Sequence, residues 1–160
     1  MKKLSFVLRA IILCALLAII VVGCWNAADP LKKIELGEPV TADVNTLEGF
    51  SMEVIGEPTN GAAKVKVVNS TDKKYSSDVL LAVNVEKDGV WYGIEYDLPE
   101  NAAFISDAYL FRQNSETEIF CSWGGRYGPL PKGHYRILFA VYEELYVGEP
   151  HMVSAEFYLE

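Results

Sequence analysis

From Phe50 onward, apolar and polar residues alternate with a period of two. Ala63-Lys64-Val65-Lys66-Val67 sets small or apolar side chains against lysines, which is the pattern of a strand with one wet face. Asn69-Ser70-Thr71-Asp72 ends it as a turn. Val79, Leu81, Val83 and Val85 fall on one face of a further strand, and Lys87-Asp88-Gly89 is a hairpin signal before Val90-Trp91-Tyr92. Thr117, Ile119, Cys121 and Trp123 lie opposite Glu116, Glu118, Phe120 and Ser122. Tyr135, Ile137, Phe139 and Val141 follow the same rule, as do Val153, Ala155, Phe157 and Leu159 against Ser154, Glu156 and Tyr158. The expectation is seven strands, centred near Met52, Val65, Val83, Trp91, Ile119, Ile137 and Ala155. Seven short strands with turn signals between them predict an all-β, antiparallel two-sheet sandwich over residues 49–160.

The text before residue 50 is different. Met1 to Arg9 carries Lys2, Lys3 and Arg9 with no acid, and residues 10–22 form thirteen positions without a charge. A spanning helix needs about 20 apolar residues, so this run reads as an export leader, a signal helix over residues 1–23. It ends Val21-Val22-Gly23-Cys24, which resembles the bacterial lipobox, where a small residue precedes a cysteine that receives a diacylglyceryl group. Gly23 leaves room for peptidase and lipid at the backbone, so Cys24 is the expected lipid attachment site. Two acyl chains on one residue meet the requirement for stable anchoring. The alternatives are a plain signal peptide with an incidental cysteine, or a single-pass anchor running back past Arg9. Residues 24–48 show no sustained period and read as a tether, with a short strand around Val40 to Val44.

Composition narrows the classes. The 160 residues are 51% hydrophobic, too apolar for disorder, and carry a net charge of −8. Processing at Cys24 leaves 137 residues with 11 basic against 22 acidic side chains, a balance of −11. Such a surface opposes nucleic acid and anionic headgroups, so only the lipid is expected to hold the domain at the membrane. With Cys14 in the leader and Cys24 acylated, Cys121 has no partner, and no disulfide is expected.

Leu130-Pro131-Lys132-Gly133-His134-Tyr135-Arg136-Ile137 has the form of a tyrosine corner, with Ile137 where antibody domains place cysteine. The other reading is an ordinary turn before a strand with tyrosine on its core face. Together with the stretch Val67 to Tyr75, the Asp88-Gly89-Val90-Trp91-Tyr92 hairpin, the strand end at Trp123 and the closing Ser154-Ala155-Glu156-Phe157, it is similar to a bacterial immunoglobulin-like domain family found in exported lipoproteins and extracellular segments of membrane proteins. The resemblance covers roughly Phe50 to Glu160 and implies an immunoglobulin-like sandwich without carrying over catalytic residues. Gly124-Gly125-Arg126 departs from the family's usual text.

Candidate chemistry is sparse. His134 and His151 sit at strand starts without metal-site spacing, and no nucleophile-elbow or phosphate-binding glycine motif occurs. Cys121, alternating with Ile119 and Trp123, reads as a buried, inert thiol. The pairs Glu116 with Glu118 and Glu143 with Glu144 lack calcium-loop spacing and read as solvated faces. No metal, cofactor or catalytic residue is expected. The loop Trp123 to Pro131 offers two readings. In one, Trp123, Arg126 and Tyr127 contact a sugar or peptide, with glycines letting backbone approach. In the other, Trp123 closes the core and the glycines serve turn geometry. Trp91, Tyr92 and Tyr96 pose the same choice, with Trp91 assigned to the core.

The expected function is therefore that of a lipid-anchored lipoprotein on the outer face of a bacterial cell membrane. Its domain is expected to be a noncatalytic module for an unidentified protein, peptide or glycan partner. The alternative is an envelope sensor or inhibitor subunit that modulates a membrane enzyme or signalling protein; a hydrolase is the third option.

Overall fold

The computed structural model describes residues 29–78, 82–96, 108–143 and 148–160. The expected leader and Cys24 lie outside the described residues, as do Val79, Leu81 and Glu144. Asp29 opens a 3-10 turn at Pro30–Lys33, its carboxylate accepting the Leu31 N–H at 3.0 Å.

Among the described residues ten strands follow: β1 (Leu36–Pro39), β2 (Phe50–Ile55), β3 (Ala62–Asn69), β4 (Tyr75–Asp78), β5 (Ala82–Lys87), β6 (Val90–Ile94), β7 (Ala108–Phe111), β8 (Ser115–Ser122), β9 (Gly133–Tyr142) and β10 (His151–Leu159). All pairings are antiparallel. One sheet runs β2-β3-β8. The other runs β1-β6-β5-β9-β4-β7, with β10 on the opposite edge of β9. Strand β9 organises this larger sheet. Gly133 to Val141 pair with β10, while its other edge takes β5 at Tyr135–Leu138 and β4 at Val141–Tyr142.

The seven expected strands are present, and their inward positions form the core between the sheets. Val65, Val67, Ile119 and Cys121 come from one sheet; Val83, Val85, Ile137, Phe139, Val153 and Ala155 come from the other. Phe50 meets Tyr75 and Phe111 edge-on at 5.4 Å each, tying β2 to the larger sheet. The Asp88-Gly89 turn joins β5 to β6 with both residues at positive φ (53° and 80°), the conformation a two-residue hairpin demands.

Three strands lie outside the expectation. β4 is Tyr-Ser-Ser-Asp, and its buried positions include the polar Ser76 and Ser77, so it shows no apolar period. β7 has only four residues. β1 corrects the reading of the tether: the strand occupies Leu36–Pro39, not residues 40–44, and pairs with β6 as the edge where proline is tolerated. Just beyond it, the Val40 N–H donates to the Trp91 carbonyl at 2.8 Å, and the Asn45 N–H donates to the Met152 carbonyl at 2.8 Å. Residues 40–45 thus pass from the β6 edge to the β10 edge. The outward-pointing Asn84, Arg136, Leu138 and Ser154, on strands between those edges, are buried.

Candidate binding face

The loop singled out by sequence divides. Trp123 is 1% exposed, stacks on Phe157 at 5.2 Å and donates its indole N–H to the Asn60 carbonyl at 2.9 Å. It closes the core, the second of the two readings, and offers no face to a partner, which corrects the reading of Trp123 as a ligand contact. The glycine that follows lets the chain approach itself. Both the Trp123 and Gly124 N–H groups donate to the Gly61 carbonyl, at 2.9 and 3.0 Å, and a Cβ on Gly124 would lie 3.4 Å from the Gly61 Cα. Arg126 and Tyr127 sit half-buried on the one-turn helix α1 (Gly124–Tyr127). The Arg126 guanidinium lies 5.0 Å from the Tyr96 ring, and Tyr96 meets Tyr127 edge-on at 5.1 Å. Tyr96 also lines a polar groove of about 430 Å³ with Glu35, Glu38 and Glu95.

Trp91 is not in the core, contrary to expectation. Register places it opposite Glu86, and Tyr92 opposite the inward Val85, so Trp91 points outward and is half-buried. Trp91, Tyr92 and Tyr96 are therefore not one cluster: the first faces out, the second in, and the third lies beyond the far end of β6.

What the fold assembles instead is a row across the outward side of β6, β5, β9 and β10. Glu86 pairs with Trp91 and His134 with Tyr158, while Val85 opposite Tyr135 puts Glu86 level with His134. Tyr158 stacks on His134 at 4.2 Å with only 6° between the planes, and Trp91 approaches the imidazole edge-on at 4.9 Å. The His134 Nε2 is 3.0 Å from Glu156 Oε2, and Nδ1 is 3.7 Å from Glu86 Oε2. Glu86 is itself pinned, since its other oxygen accepts the Gly89 N–H in the hairpin turn. Arg136 lies behind the row, its guanidinium 4.6 Å from the Trp91 ring centre and its Nε donating to Asn84 Oδ1 at 3.1 Å. Burial lowers the Arg136 pKa, opposed by the neighbouring Glu156. Tyr158 is 66% exposed, so the outer side of this stack faces solvent.

Taken alone in the sequence, His134 gives no sign of this row. The signal was parity: Tyr158 and His134 fall on the outward positions of adjacent strands.

His151 sits at the opposite end of the β9–β10 ladder from His134. Cys121 is 1% exposed, and burial pushes its thiol pKa up to about 12. Glu118 pairs with Lys64 at 3.0 Å and Glu143 with Lys73 at 2.9 Å, both at the surface. Among the described residues, no group of three or more His, Cys, Asp or Glu is arranged to hold a metal ion.

Two antiparallel sheets closed around an apolar core, with a tyrosine corner leading into the central strand, define an immunoglobulin-type sandwich. The chain belongs to the bacterial Ig-like domain family, whose model matches residues 46–158. No curated protein and no solved structure matches the chain.

Proposed function

We propose that this protein is an exported lipoprotein, anchored through a diacylglyceryl group on Cys24. Its Ig-like domain serves as a noncatalytic binding module, with the Trp91–His134–Tyr158 row as its contact surface. The observation that carries the reading is the exposed Tyr158 ring, on the edge strand β10, stacked on His134 of the neighbouring β9. An aromatic side chain held on rigid strands keeps its large contact area while losing little conformational freedom on binding. The noncatalytic reading is supported by Cys121, whose buried thiol is pushed away from the reactive thiolate form. Anchoring is supported by the charged start, the uncharged run and Gly23-Cys24.

The full chain, expressed with its own leader and recovered from membranes, tests both parts. Mass spectrometry is expected to show an N-terminal acylated Cys24, and Cys24→Ala is expected to abolish acylation and membrane retention. An intact leader or an unmodified N-terminus overturns the anchoring. Crosslinking on intact cells is expected to capture a partner with the native chain and lose it with Tyr158→Ala; capture unaffected by that change overturns the contact surface.

A further inference from the structure

The chemistry of the same row narrows its ligand, an inference that rests on the binding-module reading above. Trp91 and Tyr158 stand on β6 and β10, three strand spacings of about 4.8 Å apart, with His134 between them. The rings lean together, with centres 4.9 and 4.2 Å apart along the row, and form a short aromatic ridge displayed on rigid strands.

Carboxylates flank the ridge. Each has about four lone-pair positions, of which the structure uses only part. Glu86 is occupied by the Gly89 N–H and faces His134, while Glu156 bonds to His134 with its side chain still 54% exposed. Acceptors therefore remain beside an exposed ring, which suits a ligand with an apolar face and several hydroxyl donors.

Charge decides between ligand classes. The Arg136 guanidinium acts on Glu156, and an imidazole lies between Glu156 and Glu86. The ridge therefore carries at most one uncompensated negative charge, a weak attraction for a cationic peptide. An anionic ligand is opposed by the balance of 11 basic against 22 acidic side chains, −11, that the processed chain carries. A neutral ligand fits both conditions.

We propose that the Trp91–His134–Tyr158 ridge is a binding site for a neutral saccharide. The C–H face of a pyranose ring stacks on Tyr158, and its hydroxyls donate to Glu156 and Glu86. Trp91 extends the platform across β6, and Arg136 supports the Trp91 ring from behind.

The test uses the full chain in detergent micelles, titrated with cellotetraose, xylotetraose, maltotetraose and tetra-N-acetylchitotetraose. A lysine-rich decapeptide and an oligogalacturonate serve as charged competitors. Calorimetry and tryptophan fluorescence are expected to detect at least one neutral tetrasaccharide. Tyr158→Ala is expected to weaken it by about tenfold, and Trp91→Ala by a similar factor. Phe120→Ser, on the other sheet, should leave affinity unchanged. Tyr158 is mostly exposed, so its variant should keep the native melting temperature and remain informative even if Trp91→Ala disturbs folding.

No binding by any neutral tetrasaccharide at millimolar concentration would falsify the proposal. So would affinity that survives Tyr158→Ala, or binding confined to the basic peptide or the acidic oligosaccharide. A cell-surface partner still lost with Tyr158→Ala would, in that event, leave the binding-module reading standing and remove only the saccharide.

Discussion

The phenol of Tyr135 donates a 2.8 Å hydrogen bond to the carbonyl of Pro131, four residues upstream, from a side chain with no solvent exposure. Its ring stacks against Phe157 at 5.6 Å, so the bond fixes the path of the chain into β9 while the ring fills the core. Tyr135→Phe keeps the ring and deletes only the oxygen, leaving the Pro131 acceptor without this donor. The expected cost is about 1–2 kcal/mol. It should appear as a lower urea midpoint with an unchanged slope. A wild-type midpoint would remove the corner from the account of stability.

Alkaline pH should weaken the fold through two buried groups. Burial raises Tyr135 from 10.0 and Cys121 from 9.0, each to about 12. Both groups are neutral when protonated, and the unfolded chain releases these protons first. Their contribution is therefore complete below the unfolded values and lost as pH climbs through 9 and 10 toward about 12. Urea midpoints measured from neutral pH upward should fall more steeply in the native chain than in Cys121→Ala, beginning near pH 9. A difference between the two proteins that stays constant with pH contradicts this.

The same burial protects Cys121 from reagents. An alkylating agent at neutral pH should leave it unlabelled in the native state and modify it fully in denaturant. Rapid native labelling would show that β8 opens far more readily than its packing implies.

Asn69 is expected to be the most sensitive polar position. Only 1% exposed, it donates to the Lys73 and Arg112 carbonyls at 2.8 and 2.9 Å and accepts from the Thr71 N–H and hydroxyl at 3.0 and 2.7 Å. It thereby joins the end of β3 to two turns. Asn69→Ala removes all four bonds of a buried side chain at once, an expected loss of about 2 kcal/mol. Asn69→Asp, which keeps the acceptors and loses the donor, should not restore it. Thermal melts of both variants check the point, and near-native stability in Asn69→Asp would show that the donor contacts matter little.

Two changes near the smaller sheet should differ sharply. Trp123→Phe removes the bond to Asn60 and shrinks a buried ring, for about 2 kcal/mol. Lys64→Ala breaks an exposed pair with Glu118 and should shift stability by no more than about 0.5 kcal/mol. Comparable losses in chemical denaturation would mean that this sheet is held by its wet face rather than its inner one.

Much of this protein is written in local pattern. Period-two alternation records one-sided burial, so the strands from β2 to β10 with apolar inner faces could be read directly, as could the Asp88-Gly89 turn and the Tyr135 corner. Strands β1, β4 and β7 could not, because Leu-Gly-Glu-Pro and Tyr-Ser-Ser-Asp become strands through the edges they pair with, and four residues are too few to show a period. Tertiary structure decided between the two readings of Trp123, whose ring stacks on Phe157, and turned Trp91 outward. It also decided that residues 91, 134 and 158 meet. Their meeting depends on which strands are neighbours and in what register, and a chain carries no local trace of a hydrogen-bond ladder formed with residues dozens of positions away.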